Sequence, residues 1–294
     1  MRGNRRTSRV TGRLLPSVTA RTAKLWPAVT ARTAKLLWPL GGVAVTLATF
    51  ELASRTDVLP RHRFPPVSEI FGALADEVGT TDLWGAVGDT LDIWARAMLV
   101  ASVIGIPLGL AMGMSRTAAK LLRLVVDFLR PIPSVALIPI LILLYGTRPT
   151  LAIALAAFGA TFPLLFQAMY GVADVDPVAD DTVRSFGLDR WARLRRLVLP
   201  TCAPYLATGL RISASIALIL VVTGQYIAAV PGVGQEVFVA QNGGAYDRMY
   251  AYVVVAGLLG LAVNLGFHAV ERRVLHWHPS QRAGDDADLQ RGIA

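Results

Sequence analysis

The chain has 294 residues, of which 54% are hydrophobic and only 17% are charged, and its mean hydropathy is +0.51. An ordinary soluble domain carries about 25% charged residues, so this composition excludes a typical soluble protein and indicates a membrane protein. The net charge is +9, but the basic residues gather in an N-terminal stretch and in short polar segments, which argues against a nucleic-acid-binding face.

The first 36 residues form a basic tail, since no acidic residue occurs before Glu51. The tail contains a tandem repeat, in which VTARTAKLW at 18–26 returns as VTARTAKLLW at 29–38. We expect a mobile cytoplasmic tail that contacts anionic lipid through its basic side chains. An organellar transit peptide is the alternative, because such peptides are also rich in arginine and poor in acid.

Apolar stretches long enough to cross a bilayer follow the tail, and a helical crossing takes about twenty residues. They lie at about 36–54, 88–114, 125–145, 150–172, 208–230 and 249–270. We therefore predict an all-α polytopic membrane protein with about six transmembrane helices. The predicted divisions are the tail 1–36, a first transmembrane helix with its external loop at 37–84, a transmembrane domain at 85–272 with a cytoplasmic loop at 174–204, and a C-terminal tail at 273–294.

The placement of arginine and lysine predicts the orientation, because cytoplasmic loops carry an excess of these residues. The basic tail, the segment after the second span and the 174–204 loop all fall on one side if every predicted span crosses. Arg272 and Arg273 then return to the same side. We expect both termini to be cytoplasmic.

Three local patterns bear on helix packing. Gly105, Gly109 and Gly113 repeat every four residues on the second span and predict a close helix–helix contact. Asp92 and Arg96 are four apart and are expected to pair on one helix face. Prolines crowd the third span and predict a kink or a partly unwound helix; they are Pro131, Pro133 and Pro139.

The stretch DDTVRSFGLDRWARLRRLVLP at 180–200 interrupts the apolar sequence. Asp176-Pro177 has the pattern of a helix start, Gly187 fits a left-handed helix end, and Asp189 is expected to cap a second short helix that Leu199-Pro200 ends. Basic amphipathic helices often lie on the lipid surface. A surface helix gains nothing from a break, however, so we favour a protrusion that docks on a partner.

This stretch resembles the cytoplasmic loop of ABC-importer permeases, whose pattern is Glu-Ala-Ala, three residues, Gly, and a spacer that ends in Leu-Pro. Asp181-Thr182-Val183, Gly187 and Leu199-Pro200 stand at those positions. The departures are Asp for Glu and Thr-Val for Ala-Ala. The resemblance implies that the loop grips an ATPase subunit; its apolar residues include Phe186, Leu188 and Trp191.

The resemblance covers roughly 64–270 and is to the nitrate, taurine and sulfonate group of these permeases. Segments that carry it include GIPLGLAMG at 105–113, RPIPSVALIPILILLYG at 130–146 and GLRISASIALILVVTGQYIAAVPGVG at 209–234. It implies the permease subunit of an importer in the bacterial inner membrane, for a small solute such as nitrate, taurine, a sulfonate or a vitamin precursor. Relatives usually carry glutamate at the position of Gln225.

The energy source is expected outside this chain. A phosphate-binding P-loop needs Gly before its lysine, and Lys24, Lys35 and Lys120 all follow alanine. The resemblance implies an ABC ATPase that binds ATP and Mg²⁺, an extracytoplasmic solute-binding protein and a permease homodimer. We expect no cofactor, metal or catalytic residue in this chain, whose single cysteine is Cys202 and whose four histidines are scattered.

Polar residues within the spans are candidates for lining the solute pathway. They are Gln167, Thr223, Gln225 and Asn264. Hydrogen bonding between helices is the simpler explanation for each of them. A stand-alone secondary transporter or channel is the alternative function, and a membrane enzyme is a further one. A carrier of that kind would be expected to use intramembrane carboxylates or an inverted repeat, and within the predicted spans no Asp or Glu occurs after residue 131. No catalytic cluster is evident for the enzyme.

Overall fold

The structure, a computed structural model, describes the backbone of residues 26–274 and the side chains of residues 41–273. It divides into two units, Met1–Arg61 and His62–Ala294. All regular elements in the described part are helical, which confirms the predicted all-α class. The predicted division at 84/85 stays a prediction, and most of the predicted tails at 1–36 and 273–294 lies outside the described residues.

The first unit contains one described helix, α1 (Trp26–Arg55). The helices of the second unit are α2 (Val67–Val78), α3 (Thr81–Met114), α4 (Arg116–Leu129), α5 (Ile138–Tyr145), α6 (Pro149–Ala173), α7 (Pro177–Ser185), α8 (Arg190–Arg193), α9 (Leu199–Ala228), α10 (Val233–Asn242) and α11 (Tyr246–Val274). A 3₁₀ turn, Ser134–Leu137, precedes α5, and a π-helical turn, Leu194–Val198, joins α8 to α9.

Five of the predicted spans coincide with apolar helices of the second unit. Four described stretches are long and apolar enough to cross a membrane, namely Thr81–Met114, Pro149–Ala173, Arg190–Asn242 and Tyr246–Arg273. A fifth results if the bent pair Arg116–Leu129 and Ser134–Tyr145 counts as one span. The first predicted span, 36–54, lies on α1, whose side chains are only partly described, and it stays a prediction.

The proline-rich segment breaks the third span as predicted. Its two helices meet at an angle of 84°. The last turn of α4 closes with the hydrogen bond from Arg130 N–H to the Val126 carbonyl, at 2.9 Å. Pro131 has no N–H to continue this ladder, and Pro133 is extended, with φ −60° and ψ 116°.

Helix α6 forms the centre of the bundle and packs between α3 and α9. Leu151, Leu155 and Leu164 of α6 are fully buried. On α3, a Cβ at Gly105 would lie 2.8 Å from the Thr161 carbonyl oxygen. The glycine strip therefore allows two backbones to touch, which confirms the predicted packing role.

Polar groups also join the central helices. The Ser213 hydroxyl on α9 donates to the Ala160 carbonyl on α6 at 2.7 Å, and the Trp94 indole on α3 donates to the Ala214 carbonyl on α9 at 3.0 Å. The predicted pair on α3 is present, since Arg96 Nη2 lies 2.9 Å from Asp92 Oδ2. Hydrogen bonds between apolar helices fix their mutual register.

Candidate functional site

The 174–204 loop folds through local caps that the sequence predicts. The Asp176 carboxylate accepts a hydrogen bond from Val178 N–H at 2.9 Å and begins α7. Gly187 follows the end of α7 with φ +70°, a conformation that other residues seldom adopt. The Asp189 carboxylate accepts from Ala192 N–H at 3.0 Å and begins α8. The predicted caps and break are confirmed.

The predicted helix end at Leu199-Pro200 is wrong. The chain widens into the π-helical turn Leu194–Val198, where Leu199 N–H bonds to the Leu194 carbonyl. Pro200 then occupies the first turn of α9. Pro200 has no N–H, and the π-helical turn accommodates the gap that it leaves in the hydrogen-bond ladder, so α8 continues into α9.

An ion pair connects the two helices of the loop across the break. Arg193 on α8 donates a hydrogen bond to Asp180 on α7, and Arg184 Nη2 lies 2.9 Å from the same carboxylate. The hydrogen bond from Arg193, together with the charge of both arginines, holds the pKa of the Asp180 carboxyl below its ordinary value. The bend at Gly187 is thus held by a charged contact as well as by its backbone.

The loop also exposes apolar side chains. Phe186 is 79% exposed and Trp191 is 65% exposed, and Val178 is similarly open. Of the residues at the predicted coupling positions, Asp181, Thr182, Phe186, Gly187, Trp191 and Pro200 are exposed, whereas Val183, Leu188 and Leu199 are partly buried. Single exposed apolar residues are common on protein surfaces. Two exposed aromatic rings on one charged protrusion instead favour a contact with another protein.

The base of the loop is anchored in the helix bundle. Val198 and Cys202 are fully buried and form a cluster with Leu110 of α3 and Ala168 of α6. A Cβ at Gly171 of α6 would lie 2.9 Å from the Cys202 Cα. Because the base is packed this closely, a displacement of the loop has to move α9 with it.

Two of the four predicted pathway residues lie together. Thr223 of α9 and Asn264 of α11 line an apolar groove of about 570 Å³, which is also lined by Gly257 and Gly260. The Thr223 hydroxyl donates to the Ile219 carbonyl at 2.7 Å, so it is satisfied within its own helix. Whether this groove belongs to the solute pathway stays a prediction.

The other two pathway candidates lie elsewhere. Gln225 is fully buried and hydrogen-bonded to Thr90 of α3 and to the turn that follows α9. Gln167 of α6 packs against Gly209, where an added Cβ would lie 3.0 Å from the Gln167 Cβ. The four polar residues therefore do not form one site in the described structure.

A further charged cluster was not predicted from the sequence. Arg248 Nε of α11 lies 2.8 Å from Glu77 Oε1 of α2, and the Tyr252 hydroxyl donates to Glu77 Oε2 at 2.8 Å. Glu236 of α10 approaches Arg248 to 3.5 Å. The cluster joins three helices, but Glu77 is far from the other members in sequence, and the residues belong to no motif. Arg248, next to Asp247 just before the last predicted span, was the signal that the sequence offered.

These features define a class of protein. A bundle of long apolar helices, with a protrusion that continues into α9, is typical of a multi-pass membrane protein. Residues 105–276 match the family described as "Binding-protein-dependent transport system inner membrane component". The chain belongs to this family, and it is the permease subunit of an ABC importer.

Several named relatives are similar over most of the chain. The taurine transport system permease protein TauC of Escherichia coli (strain K12) is 28% identical over 257 residues, which cover 82% of this chain and 92% of that protein. The putative aliphatic sulfonates transport permease protein SsuC of the same strain is 27% identical, with 82% and 90% covered. The nitrate import permease protein NrtB of Leptolyngbya laminosa is 26% identical, with 64% and 68% covered.

Solved structures share the fold. A chain of a bacterial ABC transporter involved in the import of the acidic polysaccharide alginate superimposes with a TM-score of 0.60 at 14% identity. The match covers 88% of this chain and 99% of that chain. The MetNI methionine ABC transporter in an inward-facing conformation superimposes with a TM-score of 0.56 at 22% identity, with 66% and 96% covered. At these identities the likeness concerns the fold alone.

Proposed function

We propose that this permease forms the pathway for a small organic sulfonate of the taurine type, and that a separate ATPase subunit drives it by gripping the 174–204 loop. The observation that carries the coupling role is the exposed pair Phe186 and Trp191 on a loop braced by Asp180 and Arg193. The names of TauC and SsuC support the substrate class. An external binding protein delivers the solute, and ATP and Mg²⁺ bind to the ATPase.

The continuous helix after the loop supplies the mechanical path. Helix α9 has 30 residues, which correspond to a length of about 45 Å. It begins at the π-helical turn and packs along α6, the central helix of the bundle. When the ATPase pair closes on ATP, a push on the loop tilts α9 as a rigid element, and the bundle alternates between two openings.

The orientation and the assembly are part of the same proposal. We propose that the loop and both termini lie in the cytoplasm, and the excess of basic residues in these segments supports this orientation. Two permease chains assemble side by side, and the open groove at Thr223 and Asn264 in a single bundle supports this arrangement. In a homodimer the two grooves face a shared pathway, and each chain presents one loop to one ATPase.

Purification of the tagged chain from its native membrane in mild detergent tests the coupling. We expect an ABC ATPase to co-purify with the native chain and to be lost with Trp191→Glu, which places a charge in the apolar contact. The matched control is Phe71→Glu, because Phe71 is also exposed, at 50%, but lies on α2. If Trp191→Glu retained the ATPase, or if only Phe71→Glu lost it, the ATPase would contact a part of the chain other than the loop.

A self-sufficient carrier is the outcome that would overturn the importer mechanism as a whole. It would be indicated if the purified chain, reconstituted without partners, transported a solute. The substrate is tested separately on the external binding protein encoded with this permease, by calorimetry with taurine, an alkanesulfonate and nitrate. Binding of nitrate alone would reject the sulfonate class and leave the coupling proposal intact.

A further inference from the structure

The turn between α9 and α10 is built around one buried amide. Gln225 near the end of α9 has no exposed surface. Its Nε2 donates to the Pro231 carbonyl at 3.0 Å, and its Oε1 accepts from Gly234 N–H at 3.2 Å. One side chain therefore binds a carbonyl and an N–H on the two sides of the same turn.

Thr90 of α3 completes this network. Its hydroxyl lies 3.1 Å from Gln225 Oε1 and 2.9 Å from the Ala86 carbonyl, and its oxygen accepts from Val233 N–H at 3.0 Å. Thr90 is also fully buried. The two side chains thus fasten the start of α10 to α3, across 143 positions of sequence.

The backbone of the turn depends on this fastening. Ala229 lies in the left-handed region with φ +50°, and Gly232 has φ +138°. A Cβ at Gly232 would lie 2.0 Å from Gln225 Nε2. A left-handed conformation is strained for a non-glycine residue, so contacts elsewhere must hold the turn in place.

The geometry points to Gln225 as a positioning residue that keeps the α9–α10 turn fixed to α3 at every physiological pH, because its amide supplies a donor that a carboxylate of the same length lacks. A carboxylate would place a second acceptor 3.0 Å from the Pro231 carbonyl. A carboxylic acid could donate in its place, but only while it kept its proton. Burial disfavours the ionised form, and a buried glutamate can titrate at roughly pH 8–9.

The hydrogen-bond partners of Gln225 and Thr90 are each other and backbone groups, so the titratable groups of the surrounding helices lie outside this network. Helix α3 carries Asp89 next to Thr90, and α10 carries Glu236, which pairs with Arg248 of α11 at 3.5 Å. Tyr226 of α9 donates to Gln241. The remaining ionisable groups on the packed helices are Asp82, Asp92 and Arg96 of α3, Tyr170 of α6, Cys202, Tyr205 and Arg211 of α9, and Tyr246, Asp247, Tyr250, Tyr252, His268, Glu271, Arg272 and Arg273 of α11.

The location gives this contact a role in transport. The same helix, α9, begins at the cytoplasmic loop proposed to contact the ATPase and ends just after Gln225. A tilt of α9 therefore reaches α3 and α10 through the Gln225–Thr90 contact. If that contact opened with a change in pH, the tilt of α9 would be transmitted through it at one pH and not at another.

Hydrogen exchange of the purified permease with its partner subunits tests the inference. The probes are the N–H groups of Val233 and Gly234, followed from about pH 5 to about pH 9.5, beyond the pKa documented for buried glutamates. After correction for the intrinsic exchange rate, we expect native protection to stay flat. In Gln225→Glu, protection should match the native value at low pH and fall about tenfold through the titration, the factor that corresponds to one net hydrogen bond.

Two further variants separate positioning from simple packing. Gln225→Met keeps the length and loses the donor, so protection should fall by a similar factor at every pH. Thr90→Val removes the hydroxyl that accepts from Val233 N–H and should expose that amide, even if Gln225→Glu cannot be purified. A flat profile for Gln225→Glu over the whole range, a pH-independent loss in Gln225→Glu, or native protection in Gln225→Met or Thr90→Val would overturn the inference.

Discussion

Arg193 of α8 donates a hydrogen bond to the carboxylate of Asp180 on α7, and this contact closes the bend at Gly187. The pair connects residues 13 positions apart. Both side chains are largely shielded from solvent, with exposures of 25% and 15%. The protrusion is therefore a fixed element, and its exposed aromatic rings are presented in a defined arrangement.

Removal of the carboxylate charge should loosen the protrusion. We expect Asp180→Asn to lower the local stability of residues 186–193 by about 1 kcal/mol, the upper range for a partly exposed ion pair. Hydrogen exchange of the amides in that segment measures the change. Asp181→Asn is the matched control, because Asp181 is the neighbouring residue and is exposed. Equal effects of the two variants would show that the Asp180–Arg193 ion pair contributes nothing to the stability of the loop.

The same pair predicts a response to acid. The pKa of Asp180 is lowered from its ordinary value of 3.8, so its stabilisation is fully present above that pH. The stabilisation is lost as the pH falls through the lower folded-state pKa. The difference in protection between the native chain and Asp180→Asn should therefore be constant above about pH 5 and shrink in stronger acid. A difference that grew on acidification would contradict the assignment.

The backbone at the bend should favour glycine. Gly187 has φ +70°, and no atom would lie within 4 Å of a Cβ added there, so Gly187→Ala introduces strain without a clash. We expect a cost of roughly 1–2 kcal/mol in the stability of the loop. Gly72→Ala serves as the control, because Gly72 is helical, has no neighbour within 4 Å and is not in the left-handed region. Thermal unfolding in detergent should show the larger loss of stability for Gly187→Ala.

The glycine strip on α3 gives a prediction for the core. A Cβ at Gly109 would lie 2.3 Å from the Leu165 carbonyl oxygen, whereas Gly88 on the same helix has no neighbour within 4 Å. Gly109→Ala should lower the free energy of unfolding by about 1–3 kcal/mol through overpacking. Gly88→Ala should raise it slightly, since alanine favours helix. Denaturant unfolding in detergent measures both changes, and a Gly109→Ala protein of native stability would mean that α3 and α6 separate without cost.

The sequence predicts local features of this chain well because each depends on neighbouring residues. The caps at Asp176 and Asp189, the left-handed Gly187 and the proline break follow from short-range chemistry. The continuation of α8 into α9 could not be predicted in this way, because the π-helical turn that accommodates Pro200 has no sequence signature of its own. The contacts of Gln225 with Thr90 and of Glu77 with Arg248 join residues 135 and 171 positions apart, and such pairs become visible only when the helices are placed in space.

The central claim is that the ATPase contacts the protrusion, and photo-crosslinking tests it most directly. A photoreactive phenylalanine analogue is placed at Phe186 and, in a second variant, at Phe71 of α2, both exposed positions. We predict a covalent adduct between position 186 and the ATPase subunit in native membranes, with none from position 71. An ATPase adduct from position 71, with none from position 186, would contradict the coupling role of the loop and the orientation of the chain.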